Sequence, residues 1–95
     1  MQVIWLPRAE ANLLNIIEYI AEDNVDAALA LAKLIRTRAE QLNEPSILFR
    51  KGRVRGTREM VVHQNYVPVY RVRARLKRVE ILRMLHAARQ WPPSS

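Results

Sequence analysis

A chain of 95 residues with 49 % apolar side chains and no cysteine is one small globular domain, without disulfides, thiol nucleophiles or cysteine-based zinc sites. A mean hydropathy of −0.19, with no apolar run near the roughly 18 residues that cross a bilayer, excludes a membrane helix, and the opening Met1-Gln2-Val3-Ile4-Trp5 lacks the basic start of a secretion signal. Charge is split along the chain: residues 1–44 carry four Lys and Arg against seven Asp and Glu, whereas 45–95 carry twelve against two, Glu59 and Glu80, so the second half presents a basic surface suited to an acidic partner.

Val3, Ile4, Trp5 and Leu6 form a short β-branched and aromatic run that Pro7 stops, and Pro7 suits the first position of a helix. Leu13, Ile16, Ile17 and Ile20 recur at steps of three and four, which predicts a helix over about 7–22. Glu22-Asp23-Asn24 ends it, and Asn24 can cap a second helix that has Asp26 in its first turn. The stripe Ala28, Ala32, Ile35, Ala39 and Leu42 carries that helix to about residue 43. So short a link makes the two helices an antiparallel hairpin.

Residues 45–57 hold both glycines of the chain and four basic residues, and predict a loop. From Arg58 the period becomes two: Glu59, Val61 and His63 alternate with Met60 and Val62, then Val67, Val69, Arg71 and Arg73 with Pro68, Tyr70 and Val72, then Val79, Ile81, Arg83 and Leu85 with Glu80, Leu82 and Met84. Three consecutive strands, turning at 63–66 and 73–77, make an antiparallel meander. Pro68 cannot donate to a central ladder and marks a local irregularity. The expected fold class is α+β: an N-terminal strand, an αα-hairpin and a three-stranded meander in a single domain spanning 1–95, helices on one sheet face, residues 92–95 frayed. Apolar residues on both faces of the last two strands leave a partly hydrophobic concavity beside a rim of arginines, a candidate partner groove.

This order of elements, with the strings Ile4-Trp5-Leu6-Pro7-Arg8-Ala9, Ile16-Ile17-Glu18-Tyr19-Ile20-Ala21-Glu22-Asp23-Asn24, Gly52-Arg53-Val54-Arg55-Gly56-Thr57-Arg58-Glu59, Asn65-Tyr66-Val67-Pro68-Val69-Tyr70-Arg71-Val72 and Leu85-His86-Ala87-Ala88-Arg89-Gln90-Trp91-Pro92, resembles the RelE/ParE family of type II toxin–antitoxin toxins over almost the whole chain. The resemblance implies a small cytoplasmic bacterial protein that arrests growth unless a cognate antitoxin neutralises it. RelE-like members cleave messenger RNA on the ribosome, and ParE-like members poison DNA gyrase. Metal-independent RNA cleavage needs a proton acceptor, a donor for the leaving oxygen and cations at the phosphate. RelE-like members place an Arg in the third strand and another after the last strand, with a Tyr or His near the C-terminus. Here those places hold Val67, Ala88 beside Arg89, and Trp91-Pro92. Val and Ala supply neither charge nor proton, so the resemblance points to the ParE branch.

The expected function is therefore growth inhibition by binding gyrase, with no catalysis by this chain. The target-facing residues are Arg53, Arg55, Arg58, Arg83, Arg89 and Trp91, since Arg and Trp most often anchor interfaces. Arg71, Arg73 and Tyr70 are assigned to an acidic, partly disordered antitoxin segment, whose carboxylates Arg forks can hold bidentately. The runner-up, a ribosome-dependent endoribonuclease, would draw on Arg58, Tyr66, Arg83, His86 and Arg89. A third reading is an inactive antitoxin-binding module. Neither a cofactor nor a metal is expected, because His63 and His86 have no second ligand in suitable spacing. Direct nucleic-acid contact is the less favoured reading of the basic half.

Overall fold

The computed structural model describes residues 1–44, 49–63 and 65–86. Arg89, Trp91, Ala88, the expected frayed end 92–95 and parts of the two predicted links at 45–48 and 64 lie outside the described residues.

Strand β1, Gln2–Trp5, runs into helix α1, Pro7–Ala21, with Pro7 at its first position as expected. Asn24 caps helix α2, Val25–Glu40, its side chain accepting a hydrogen bond from the Ala27 N–H at 2.9 Å. A turn of 3-10 helix at Gln41–Asn43 then carries the predicted stripe to Leu42, which is buried. The two helices are locked to each other and to β1 by one side chain. Arg36 grips Glu10 with two parallel bonds of 2.6 and 2.8 Å and lies 4.6 Å over the ring of Trp5.

The sheet has five strands among the described residues, in the order β1-β5-β4-β3-β2. Strands β2 (Arg50–Lys51), β3 (Arg58–Glu59), β4 (Tyr66–Arg73) and β5 (Arg78–His86) form an antiparallel meander. Its first strand lies in the stretch expected to be only a loop, and β3 is shorter than the alternation suggests. Strand β1 adds to the far edge, parallel to β5, with Gln2 opposite Arg78 and Trp5 opposite Ile81.

Pro68 explains where β3 stops. The Met60 N–H donates to the Pro68 carbonyl, so the ring nitrogen also faces the β3 side, where no donor is available and pairing ends at Glu59. The expected irregularity follows one residue on: Val69 pairs with Arg83 and Tyr70 with Ile81, a bulge that leaves Leu82 without a partner in the ladder. That bulge overturns the simple alternation read for the last strand. Val79 and Ile81 face the helices, but beyond Leu82 it is Met84 that joins the core, while Arg83 and Leu85 turn to the other face. Where β1 has ended, the Asn12 side chain of α1 accepts the Met84 N–H at 3.2 Å and satisfies the backbone that the sheet leaves open.

The core is therefore one continuous layer between the hairpin and the sheet. Ala9, Ala39, Leu42, Met60, Tyr70, Val79 and Ile81 fill one part, and Leu13, Ile35, Tyr66 and Met84 fill the other.

Candidate functional site

The face of the sheet turned away from the helices carries the features that composition alone could not arrange. Val67, Val69 and Leu85 form a separate buried apolar cluster there. Beside it stand the only two acidic residues of the basic half, Glu59 and Glu80, exposed by 1 % and 3 %. A carboxylate buried to this degree must be paired. Glu80 accepts from Arg71 at 2.8 Å and from Arg78 at 2.7 and 2.9 Å, with Arg73 at 4.0 Å. Glu59 accepts from its cross-strand neighbour Arg50 at 3.0 Å and from the backbone N–H of Arg53 at 3.0 Å. Two glutamates thus organise five of the arginines.

This arrangement changes the reading of the expected antitoxin set. Arg71 and Arg73 belong to the Glu80 cluster and offer a shared, partly neutralised charge. Tyr70 is a correction: it is 1 % exposed in the core, and its hydroxyl accepts the Phe49 N–H at 3.3 Å, so it presents no surface to a partner. The helices cover this face of β4 and bury its side chains whatever the residue type.

The arginines around Glu80, Arg71 first and then Arg78, hold its carboxyl below the usual carboxylate range against the opposing effect of burial. A folded-state pKa lower than the unfolded one stabilises the fold fully above the unfolded value near about 4.3 and loses that contribution as pH falls through the folded value. Glu80→Gln should accordingly lower Tm at neutral pH, with the gap to the parent protein closing in thermal melts taken through acid buffers. A gap that stays constant with pH would mean that the cluster does not act through charge.

Of the expected target-facing residues, Arg53, Arg55 and Arg58 share the β2–β3 hairpin. Its loop is closed by the Gly52 N–H to Thr57 carbonyl bond of 2.8 Å and by the Thr57 hydroxyl donating to the Val54 carbonyl at 2.6 Å. Gly52 is required because a Cβ there would run into the Thr57 hydroxyl, and Gly56 has φ +81°. Arg58 donates to the Phe49 carbonyl at 2.8 Å. Arg83 lies elsewhere, on the pleat of Val69, its guanidinium pushed below the usual range by burial and secondarily by Arg8.

The alternative catalytic set is only partly assembled. Tyr66 and His86 are cross-strand partners with ring centroids 5.1 Å apart, and His63 stands 5.6 Å from Tyr66. Together with Asn15, Ile16 and Tyr19, Tyr66 and His86 line a pocket of about 300 Å³ between α1 and the sheet, and the buried Nδ1 of His86 has no hydrogen-bond partner there. Arg58, however, pairs with Tyr70, four residues along β4 from Tyr66, or about 13 Å at strand rise. Arg83 belongs to the opposite pleat. Among the described residues no group of acidic or histidine side chains is arranged to hold a metal ion, and no helix is long and apolar enough to cross a membrane.

A family profile described as the ParE toxin of the type II toxin–antitoxin system parDE matches residues 3–91. The chain belongs to the ParE toxin family. It is similar to a candidate toxin of Sinorhizobium fredii, Y4kP, with 37 % identity over 92 residues, covering 96 % of this chain and 93 % of that one. A solved structure of the chromosomal ParDE toxin–antitoxin system of P. aeruginosa superposes with a TM-score of 0.79 at 23 % identity, covering 90 % of this chain and 95 % of that one. That likeness bears on the fold, an α+β ParE arrangement of two helices on a five-stranded sheet. As a ParE toxin the chain is one half of a toxin–antitoxin pair, and a cognate antitoxin is its implied partner.

Proposed function

We propose that this ParE toxin arrests bacterial growth by binding DNA gyrase in the cytoplasm and trapping its DNA breaks, performs no chemistry itself, and is neutralised by an acidic, partly disordered segment of its antitoxin. The observation that carries this reading is Val67. The position at which a nucleolytic relative carries an arginine is here a valine, 3 % exposed in an apolar cluster with Val69 and Leu85, and its side chain supplies neither a charge for a phosphate nor a proton. The separation of Arg58 and Arg83 from the Tyr66–His86 pair supports the same conclusion, since phosphoryl chemistry depends on groups held together on one site. The gyrase-facing surface is assigned to Arg53, Arg55, Arg58 and Arg83 with Arg89 and Trp91, and the antitoxin-facing surface to Arg71 and Arg73 without Tyr70.

Purified toxin added to gyrase and supercoiled plasmid should accumulate linear, protein-linked DNA, and the same preparation should leave messenger RNA intact on programmed ribosomes. The contact between Tyr66 and His86 is the one observation that favours the ribonuclease reading. Specific cuts in the ribosomal A site that disappear in His86→Ala, with no cleavage complex on gyrase, would replace the proposal with that reading.

A further inference from the structure

The two-residue strands β2 and β3 form a ribbon whose two faces are treated differently. On one face Arg50 stands opposite Glu59 and the charges cancel. On the other face Lys51 stands directly opposite Arg58, a like-charge pair of the kind that destabilises a sheet. Nothing relieves it. Arg58 spends a bond on a neutral carbonyl, and Lys51 has no hydrogen-bond or ion-pair partner among the described residues. Arg55, at the tip of the same loop, is exposed and equally unpartnered. All three side chains, with Arg71, line one pocket of about 380 Å³ whose described walls contain no carboxylate.

A local rule broken without compensation inside the protein points to a ligand that supplies the compensation. We propose that this pocket binds a phosphate ester, the backbone of a nucleic-acid strand being the favoured source and a free nucleotide the other. The charges give the sign of the ligand, and the space suits a small group. About 380 Å³ is at the small end of the roughly 300–1,000 Å³ that small-molecule sites occupy. One phosphate with its sugar fits that space while meeting Lys51, Arg55 and Arg58 together. An acidic peptide would have to bring several separate carboxylate side chains into the same space, each losing rotamer freedom. At Gly56 open space stands where a side chain would begin, so a phosphate can approach the loop backbone there. The inference does not depend on gyrase, because binding is a property of the isolated chain.

The test is fluorescence anisotropy with a short labelled single-stranded oligodeoxynucleotide across a salt series, on the parent toxin, on Lys51→Glu/Arg55→Glu, and on Arg75→Glu/Lys77→Glu, which makes the same charge change outside the pocket. Loss of two phosphate contacts should weaken binding by at least about tenfold and reduce the slope of log affinity against log salt by about 1.4, at roughly 0.7 per contact for single strands. The control pair should keep the parent slope. Because Lys51→Glu sets a carboxylate opposite Arg58, the single variant should melt no lower than the parent while binding the oligonucleotide more weakly, which separates ligand loss from unfolding. Pyrophosphate should displace the oligonucleotide. Calorimetric binding of ADP with the same dependence on Lys51 and Arg55, without oligonucleotide binding, would carry the phosphate-ester assignment and give its source as a free nucleotide. Equal losses in both double variants, or displacement by polyglutamate but not by pyrophosphate, would overturn the proposal.

Discussion

Tyr70→Ala should remove a large part of the protein's stability, a loss of about 3–5 kcal/mol set against the roughly 5–15 kcal/mol that holds a small domain together. Tyr70 sits where both halves of the argument for stability meet. Its ring fills the core among Met60, Val79 and Ile81, and its hydroxyl is the acceptor for the backbone N–H of Phe49. Tyr70→Phe keeps the ring and removes only that acceptor, so it should cost about 1 kcal/mol. Urea unfolding midpoints of the three proteins measure both effects. If Tyr70→Ala were as stable as the parent and only bound antitoxin more weakly, the tyrosine would be a surface contact, as its place beside Arg71 suggests in the sequence.

Glu59→Ala is the second large effect, and it acts on shape as well as stability. Removing this carboxylate strands the Arg53 N–H that closes the start of the basic loop and leaves Arg50 without its partner. The cost is about 1–3 kcal/mol, chiefly that of losing a backbone hydrogen bond to a charged acceptor, because Arg50 is itself half-exposed and its ion pair is screened. In a chain of this size that lowers Tm by about 5–20 °C. The same change should disorder residues of the loop that carries Arg53 and Arg55, seen as faster amide exchange there than in β4 and β5. Unchanged exchange in the loop would mean that the two hairpin hydrogen bonds suffice to hold it.

Much of the scaffold could be read from local signals. Pro7, Asn24 and the stripes on the two helices each report on neighbours three or four residues away, and the helices begin and end close to where those signals fall. The irregularity at Pro68 was legible because a missing N–H has only a few tolerable places in a sheet. Other features are absent from any local pattern. Strand β2 has two residues, too few for a period. The bulge at Leu82 reverses which side chains face inward, and its position depends on how β4 and β5 meet. The Glu10–Arg36–Trp5 lock and the two buried glutamates join residues whose closeness exists only after the strands and helices have packed. The charge asymmetry of the sequence was real, but it overstated the free charge, since Arg50, Arg71, Arg73 and Arg78 have ion partners and Lys51, Arg55 and Arg58 do not share them.

The parallel pairing of β1 with β5 has a consequence for the order in which the molecule can come into being. Among the described strands β1 has no other neighbour, and its partners, from Arg78 to Ile81, are among the last of the described residues that a ribosome adds. The hairpin of α1 and α2 is synthesised early, but β4 and β5, the sheet strands it packs against, are completed late. During translation the early helices therefore have no sheet to rest on, and closing the long loop between β1 and β5 must wait until β5 is made. A nascent ParE chain thus lacks its native sheet until β5 has been made, which leaves an interval in which an antitoxin already present can meet a toxin that is not yet fully folded.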